Sequence, residues 1–329
     1  MKRFFCLASV LVLLTAVFLP RARAEHSSKD VSAASQALSA AEADAWRGEG
    51  ERVTRFLVLG KDCACGLTDS IFVVTVNETA RRATILQIPR DTYANYTQKD
   101  YKKLNGALNA LGAADLKALL SRALGVRLDY FVILDLSCVR RIVDDLGGVD
   151  VTLTQDMLYS DPAQGLEIDL REGQVHLDGE RAEQFIRYRS GYVNADLGRL
   201  DAQKLFLGAF AEKCKSISPG QLFQIMCHTL TRVQTDVGLP DAIRVLAALR
   251  ECDTREIPMA TLAGEAVQGS SGAWYYVINR ASACEMVNTY LLPARSLSVL
   301  EFDPDALFDR KENREFHHIY TAEGDPTAN

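Results

Sequence analysis

Short apolar runs separated by helical stretches constrain this chain more than any other feature. Phe56-Leu57-Val58-Leu59 ends in Gly60, as a buried strand does. SIFVVTV at 70–76 and ATILQI at 83–88 flank Asn77-Glu78-Thr79-Ala80-Arg81, which reads as the turn of a hairpin. Leucines at helical spacing fill 103–124, interrupted by Gly112, and Tyr130 to Leu134 is a further strand. A helix from Val139 to Leu146, capped by Ser137 and stopped by Gly147-Gly148, leads to a strand at 149–153. Helices follow at 179–187, 199–216, 219–231 and 239–251, then a strand at 275–278 and a helix at 281–291. Strands interleaved with helices over this length predict an α/β domain large enough for a core and a ligand cavity.

The first residues carry an address. Met1-Lys2-Arg3, an apolar run from Phe4 to Leu19 and Ala22-Arg23-Ala24 make an export signal. The run is 16 residues, short of the ~20 that cross a bilayer comfortably. Cleavage after Ala24 and retention as an anchor, with the N-terminus inside, both fit. The expected division is 1–24 signal peptide or membrane anchor, 25–51 linker, 52–292 catalytic domain and 293–329 polar tail. Without the four basic residues of the signal, 33 basic side chains face 43 acidic ones, a net −10. That excludes a non-specific nucleic-acid binder, which needs a basic field. In an exported chain some of the cysteines are expected to pair, with Cys214–Cys227 and Cys252–Cys284 as the plausible bridges. Cys63-Ala64-Cys65 lacks the further ligands of a zinc site.

Charged residues gather in four places. Asp62 follows a strand and a glycine, and Asp69 immediately precedes the next strand, so both belong at the loops where α/β sheets bind ligands. Two such carboxylates suit magnesium, which takes its other ligands from phosphate and water. Pro89 stops the second hairpin strand and leaves Arg90 and Asp91 at the same end of the sheet. Arg187 and Arg189 have period-two spacing, which in an extended backbone turns both to one face. Arg199 and Gln203 share a helix face just after Asp196, and Lys103 opens a helix of its own. Each cluster taken alone also fits turn residues or a solvated charged face. Together, carboxylates for a hard cation and guanidiniums for phosphate point to a pyrophosphate site.

IPRDT at 88–92, KLNGA at 103–107, LGGVDV at 146–151, LDGERAEQFIRYR at 177–189 and DLGR at 196–199 with Gln203 stand in one order and register. In these the chain resembles the LytR–CpsA–Psr family of cell-wall glycopolymer ligases, from about Arg52 to Leu292. The resemblance implies a three-layer α/β/α fold around a central mixed sheet, with an apolar tunnel for a polyprenyl chain. It implies an extracytoplasmic enzyme at the outer leaflet of the membrane. Such an enzyme moves an anionic polymer, such as teichoic acid or capsular polysaccharide, from undecaprenyl pyrophosphate to peptidoglycan with Mg2+. By the same resemblance, Asp62 and Asp69 would hold the metal, and Arg90, Lys103, Arg187, Arg189 and Gln203 the pyrophosphate. Arg199 is a further phosphate candidate, and Asp91 and Asp196 are candidate general bases. Three family arginines are replaced, by Leu67, Ala94 and Ala202. A thinner cage keeps open a non-catalytic polyprenyl-pyrophosphate binder, and hydrolysis with water as acceptor is a further alternative.

Overall fold

The computed structural model describes residues 51–61, 66–94, 103–162, 166–188, 195–230, 233–253, 257–269, 272–292, 297–299 and 302–307. The expected export signal lies outside them, and among the described residues no helix is long and apolar enough to cross a membrane.

β1 (Val53–Lys61) and β2 (Thr68–Asn77) pair antiparallel, and β2 continues through a turn into β3 (Arg82–Ile88). Both expected hairpin strands therefore form, with Arg81 at φ 54° turning the chain between them. β4 (Tyr130–Leu134) lies parallel to β1 on its other side, beyond what a tight turn can connect. Two short strands complete the sheet: β9 (Gln234–Thr235) beside β4 and β10 (Met259–Thr261) beside β3. The result is a six-stranded mixed sheet of order β10-β3-β2-β1-β4-β9.

The sheet is buried on both faces, which is why its central strands read as unbroken apolar runs. One face takes Phe56, Val58, Phe72 and Val74 into a core with α3 (Leu136–Asp145), α4 (Gly179–Arg187), α5 (Ala195–Ser216), α6 (Pro219–Leu230) and α7 (Leu239–Glu251). The other takes Leu57, Leu59, Ile71 and Val73 against a 3-10 turn (Leu104–Gly106), α1 (Ala107–Leu111), α2 (Ala113–Leu124) and α8 (Arg280–Leu291). Three layers result, as the resemblance implies. The expected break at Gly112 separates α1 from α2, with φ 80° there. β5 (Val149–Leu153) forms as expected but outside the main sheet, in a ladder with β8 (Gly173–Leu177). A hairpin of β6 (Met157–Asp161) and β7 (Leu166–Leu170), and β11 (Gly264–Gln268), are further strands the patterning did not reveal; β11 pairs with β12 (Trp274–Ile278), the strand expected at 275–278.

Three expectations are corrected. Asp135, not Ser137, caps α3: its carboxylate accepts from the Cys138 amide at 2.9 Å, and the Ser137 hydroxyl donates to it at 2.6 Å. The stretch after Pro293, expected as a polar tail, buries Leu297, Phe302 and Leu307 in the second core. The proposed Cys252–Cys284 bridge is absent, because Cys252 lies in the first core and Cys284 in the second, with the sheet between them. Cys214 is likewise a free thiol, and the Cys227 side chain lies outside the description. Burial pushes the Cys138 thiol up to about 11 and Cys214 to about 12, so both stay protonated and inert.

Candidate active site

β1 and β4 are parallel, and their carboxyl ends meet the start of β2 and the end of β3 at one edge. There the β1–β2 register slips. Gly60 faces Ser70 but Lys61 faces Thr68, so Asp69 is the extra residue of a β-bulge. A bulge breaks the alternation of side chains and re-aims the one it adds. Asp69 is 7% exposed, and its Oδ1 accepts from Arg90 Nη1 at 2.6 Å.

Arg90 comes to it on a turn started by Pro89. Thr92 N donates to Pro89 O at 3.0 Å, closing the turn. The carbonyls of Arg90, Asp91 and Thr92 then accept from the amides of Asn105, Tyr276 and Leu104, at 2.9, 2.8 and 2.9 Å. Two separate segments, at Leu104–Asn105 and at Tyr276, thus clamp the turn, and its side chains need no reordering to meet a ligand. Asp91 bridges two cations, with Oδ1 2.9 Å from Lys103 Nζ and Oδ2 3.6 Å from Arg90 Nε. Lys103 Nζ also lies 5.6 Å from the centroid of the Tyr275 ring, which packs edge-on against buried Tyr93. That cation–π contact fixes where the ammonium sits.

Six buried side-chain N or O atoms have no hydrogen-bond partner among the described residues. Half of them, Thr68 Oγ1, Ser70 Oγ and Arg90 Nε, are on Asp69's two neighbours and on its ion-pair partner. Buried polar groups without partners are rare and costly, so such a cluster marks where a ligand supplies the missing bonds.

The clamped carbonyls and both cations lie in the IPRDT and KLNGA motifs that carry the family resemblance, and residues 20–291 match the LytR_cpsA_psr family. The chain belongs to that family. It is 26% identical over 231 residues to the polyisoprenyl-teichoic acid–peptidoglycan teichoic acid transferase TagV of Bacillus subtilis (strain 168). That match covers 69% of this chain and 59% of the relative's length. It is 27% identical over 254 residues to TagU of Bacillus cereus (strain AH820), a transferase of the same description, covering 73% and 80%. Among solved structures, B. subtilis TagV superposes with a TM-score of 0.61 at 21% identity, covering 75% of this chain and 99% of that one. TagT bound to LIIa-WTA superposes with a TM-score of 0.56 at 26% identity, covering 72% and 89%.

Of the residues a LytR_cpsA_psr site is expected to use, the structure brings Asp69, Arg90, Asp91 and Lys103 together. Arg187 ends α4, the helix expected over 179–187, so the extended backbone on which the period-two reading depends is not present at this residue. The reason is the Asp178 cap, which accepts from the Arg181 amide at 2.8 Å and starts the helix that Arg187 finishes. Arg187 Nη1 lies 3.0 Å from Glu183 Oε1, and Glu183 Oε2 lies 3.4 Å from Arg140 Nη1 on α3. Among the described residues no ion pair joins Arg187 to the Asp69 cluster. Asp62 and Arg189 lie outside the described residues. Asp196, Arg199 and Gln203 fall on α5, on its first three turns, with their side chains outside the description. Thr68, Tyr275 and Glu183 are site neighbours that sequence reasoning missed. Only Glu183 left a signal, four residues before Arg187 on one helix.

Magnesium keeps several waters and asks for one or two carboxylates plus phosphate oxygens. Asp69 fits that requirement, beside orphan hydroxyls that can bond the ion's waters. Among the described residues no three His, Cys, Asp or Glu converge as a closed cage would need.

Proposed function

We propose that this chain is an extracytoplasmic transferase that moves a polyisoprenyl-linked anionic glycopolymer onto peptidoglycan. The observation that carries it is the clamped Asp69–Arg90–Asp91–Lys103 cluster with its orphan polar atoms, in a chain whose relatives are named teichoic acid transferases. The donor in this reading is an undecaprenyl pyrophosphate, held with its diphosphate against Arg90 and Lys103 and its isoprenoid tail in an apolar tunnel. Arg187, Arg189, Arg199 and Gln203 complete the phosphate contacts. Asp69, with Asp62, would hold a magnesium ion, which neutralises charge on the diphosphate.

The chemistry is transfer at phosphorus. A sugar hydroxyl of peptidoglycan attacks the phosphorus that carries the polymer, and a new phosphodiester bond forms. The bond from that phosphorus to the bridging oxygen breaks, and polyprenyl phosphate leaves with the electron pair. The hydroxyl proton goes to a carboxylate. Asp91 is already held by Lys103 and Arg90, so it orients those cations, and Asp196 takes the proton. Phosphoryl transfer needs positioning and charge neutralisation more than covalent help from the protein. A turn held by three separate backbone hydrogen bonds supplies the first, and its cations supply the second.

The test is turnover. Full-length protein in detergent is incubated with Mg2+, a lipid-pyrophosphate glycan and peptidoglycan oligomers. Polyprenyl phosphate released in step with polymer-bearing peptidoglycan is the expected result. Binding with no release would reduce the protein to a carrier of lipid pyrophosphates. Release without a peptidoglycan product would make it a hydrolase.

A further inference from the structure

The end of the sheet remote from Asp69 carries a second polar constellation. Arg55, Thr75 and Thr84 stand in one row, because Arg55 faces Thr75 across β1–β2 and Thr75 faces Thr84 across β2–β3. They alternate with Leu57, Val73 and Leu86, so they lie on the face covered by α2 and α8. Two of the three find partners where α8 ends. Arg55 Nε donates to Leu291 O at 2.7 Å, and the Thr84 hydroxyl donates to Tyr290 O. A helix C-terminus leaves such carbonyls unsatisfied, and a cation there meets the favourable end of the dipole.

Between them, the Thr75 hydroxyl has no hydrogen-bond partner among the described residues, and the residue is 2% exposed. Thr75 lines a cleft of ≈ 610 Å³, within the roughly 300–1,000 Å³ of small-ligand sites. The cleft is bounded by the β2–β3 turn and the last turn of α8, with Asn77, Arg82, Thr84, Thr289 and Tyr290 around it. From Asp69 to Thr75 is six residues of strand, about 20 Å, so this is a separate place from the phosphate cluster.

The lining limits what could bind. Arg81 and Arg82 are balanced by Glu51 and Asp253, and Arg81 is paired with Glu251 at 2.8 Å. Balanced charge gives no field for a polyanion, and hydroxyls and guanidiniums are poor neighbours for a lipid tail. Hydroxyl, amide and carboxylate groups beside a tyrosine ring match a saccharide, whose own hydroxyls both donate and accept. We propose that this cleft binds an uncharged stretch of glycan, with one of its hydroxyls bonded to Thr75. The proposal stands apart from the transfer reading, since it concerns binding at the other end of the sheet.

The test is thermal unfolding of the full-length chain with the tetrasaccharide of N-acetylglucosamine, which carries amide and hydroxyl groups and no charge. The saccharide should raise the melting temperature of the unaltered protein and of Arg90→Ala by the same increment. Thr75→Val should melt higher than the unaltered protein when free, because valine keeps the shape and removes the unbonded hydroxyl. It should also bind the saccharide about tenfold more weakly, the worth of one good hydrogen bond. A lower melting temperature for free Thr75→Val would mean that the protein itself satisfies the hydroxyl, and would overturn the proposal. So would an increment produced by the stem peptide or by a glycerol-phosphate oligomer in place of the saccharide, or no increment at all.

Discussion

At the scale of the residue, the site is a set of ion pairs formed before any ligand arrives. Asp69–Arg90 is the most enclosed, at 7% and 12% exposure. Removing Arg90 leaves a carboxylate in a nearly closed place, so Arg90→Ala is expected to abolish transfer. It should also cost on the order of 3 kcal/mol of stability, read by urea unfolding. Asp69→Asn combined with Arg90→Ala should recover part of that stability and none of the activity. Glu183 acts on the proposed reaction through another residue: it holds Arg187 at 3.0 Å and Arg140 at 3.4 Å. Glu183→Gln keeps the shape and loses the charge, so KM for the lipid-linked donor is expected to change while kcat stays within about threefold. An equal fall in kcat would mean that Arg187 meets the diphosphate only in the transition state.

At the scale of the element, two helix starts decide where side chains go. The Asp135 cap of α3 titrates. Burial pushes its carboxyl up, but hydrogen bonds from Ser137 and Cys138 outweigh this and hold it below the ordinary range. A depressed folded value means that the stabilisation is complete above the unfolded pKa, about 3.9, and is lost as pH falls through the folded one. Asp135→Ala is therefore expected to cost about 1 kcal/mol at pH 7. That penalty should shrink when unfolding is repeated near pH 3. The start of α4 depends on Gly179, where a Cβ would come 2.3 Å from the backbone carbonyl of Arg140. Gly179→Ala must push α4 off α3, at roughly 1–3 kcal/mol, and displace Arg187 at the far end of the same helix. Circular dichroism melts and transfer assays on this variant should fall together. The glycine of the LDGER motif is legible in the sequence, but its reason is a contact with a helix some forty residues earlier.

At the scale of the whole molecule, the sheet separates two cores, and the second is closed by residues far along the chain. Phe302 is fully buried there, with Leu297 and Leu307 beside it. Phe302→Ala is expected to cost about 3–5 kcal/mol. A chain ending at 292 should melt well below one ending at 307, by scanning calorimetry. The polar composition of this stretch hid those contacts, since its apolar residues are scattered among charged ones and carry no period. What the sequence determined alone were the features that repeat locally. Apolar runs set the strands, leucine spacing set α1 and α2 with their break at Gly112, and Pro89 fixed where β3 ends. The family motifs named the site residues. Only the tertiary structure decided which of them meet. The bulge that re-aims Asp69, the backbone clamps on the Arg90 turn and the seating of Gly179 against Arg140 depend on contacts between segments far apart in the chain. Periodicity reports a residue's own strand or helix, whereas convergence of charges is set by how those elements pack.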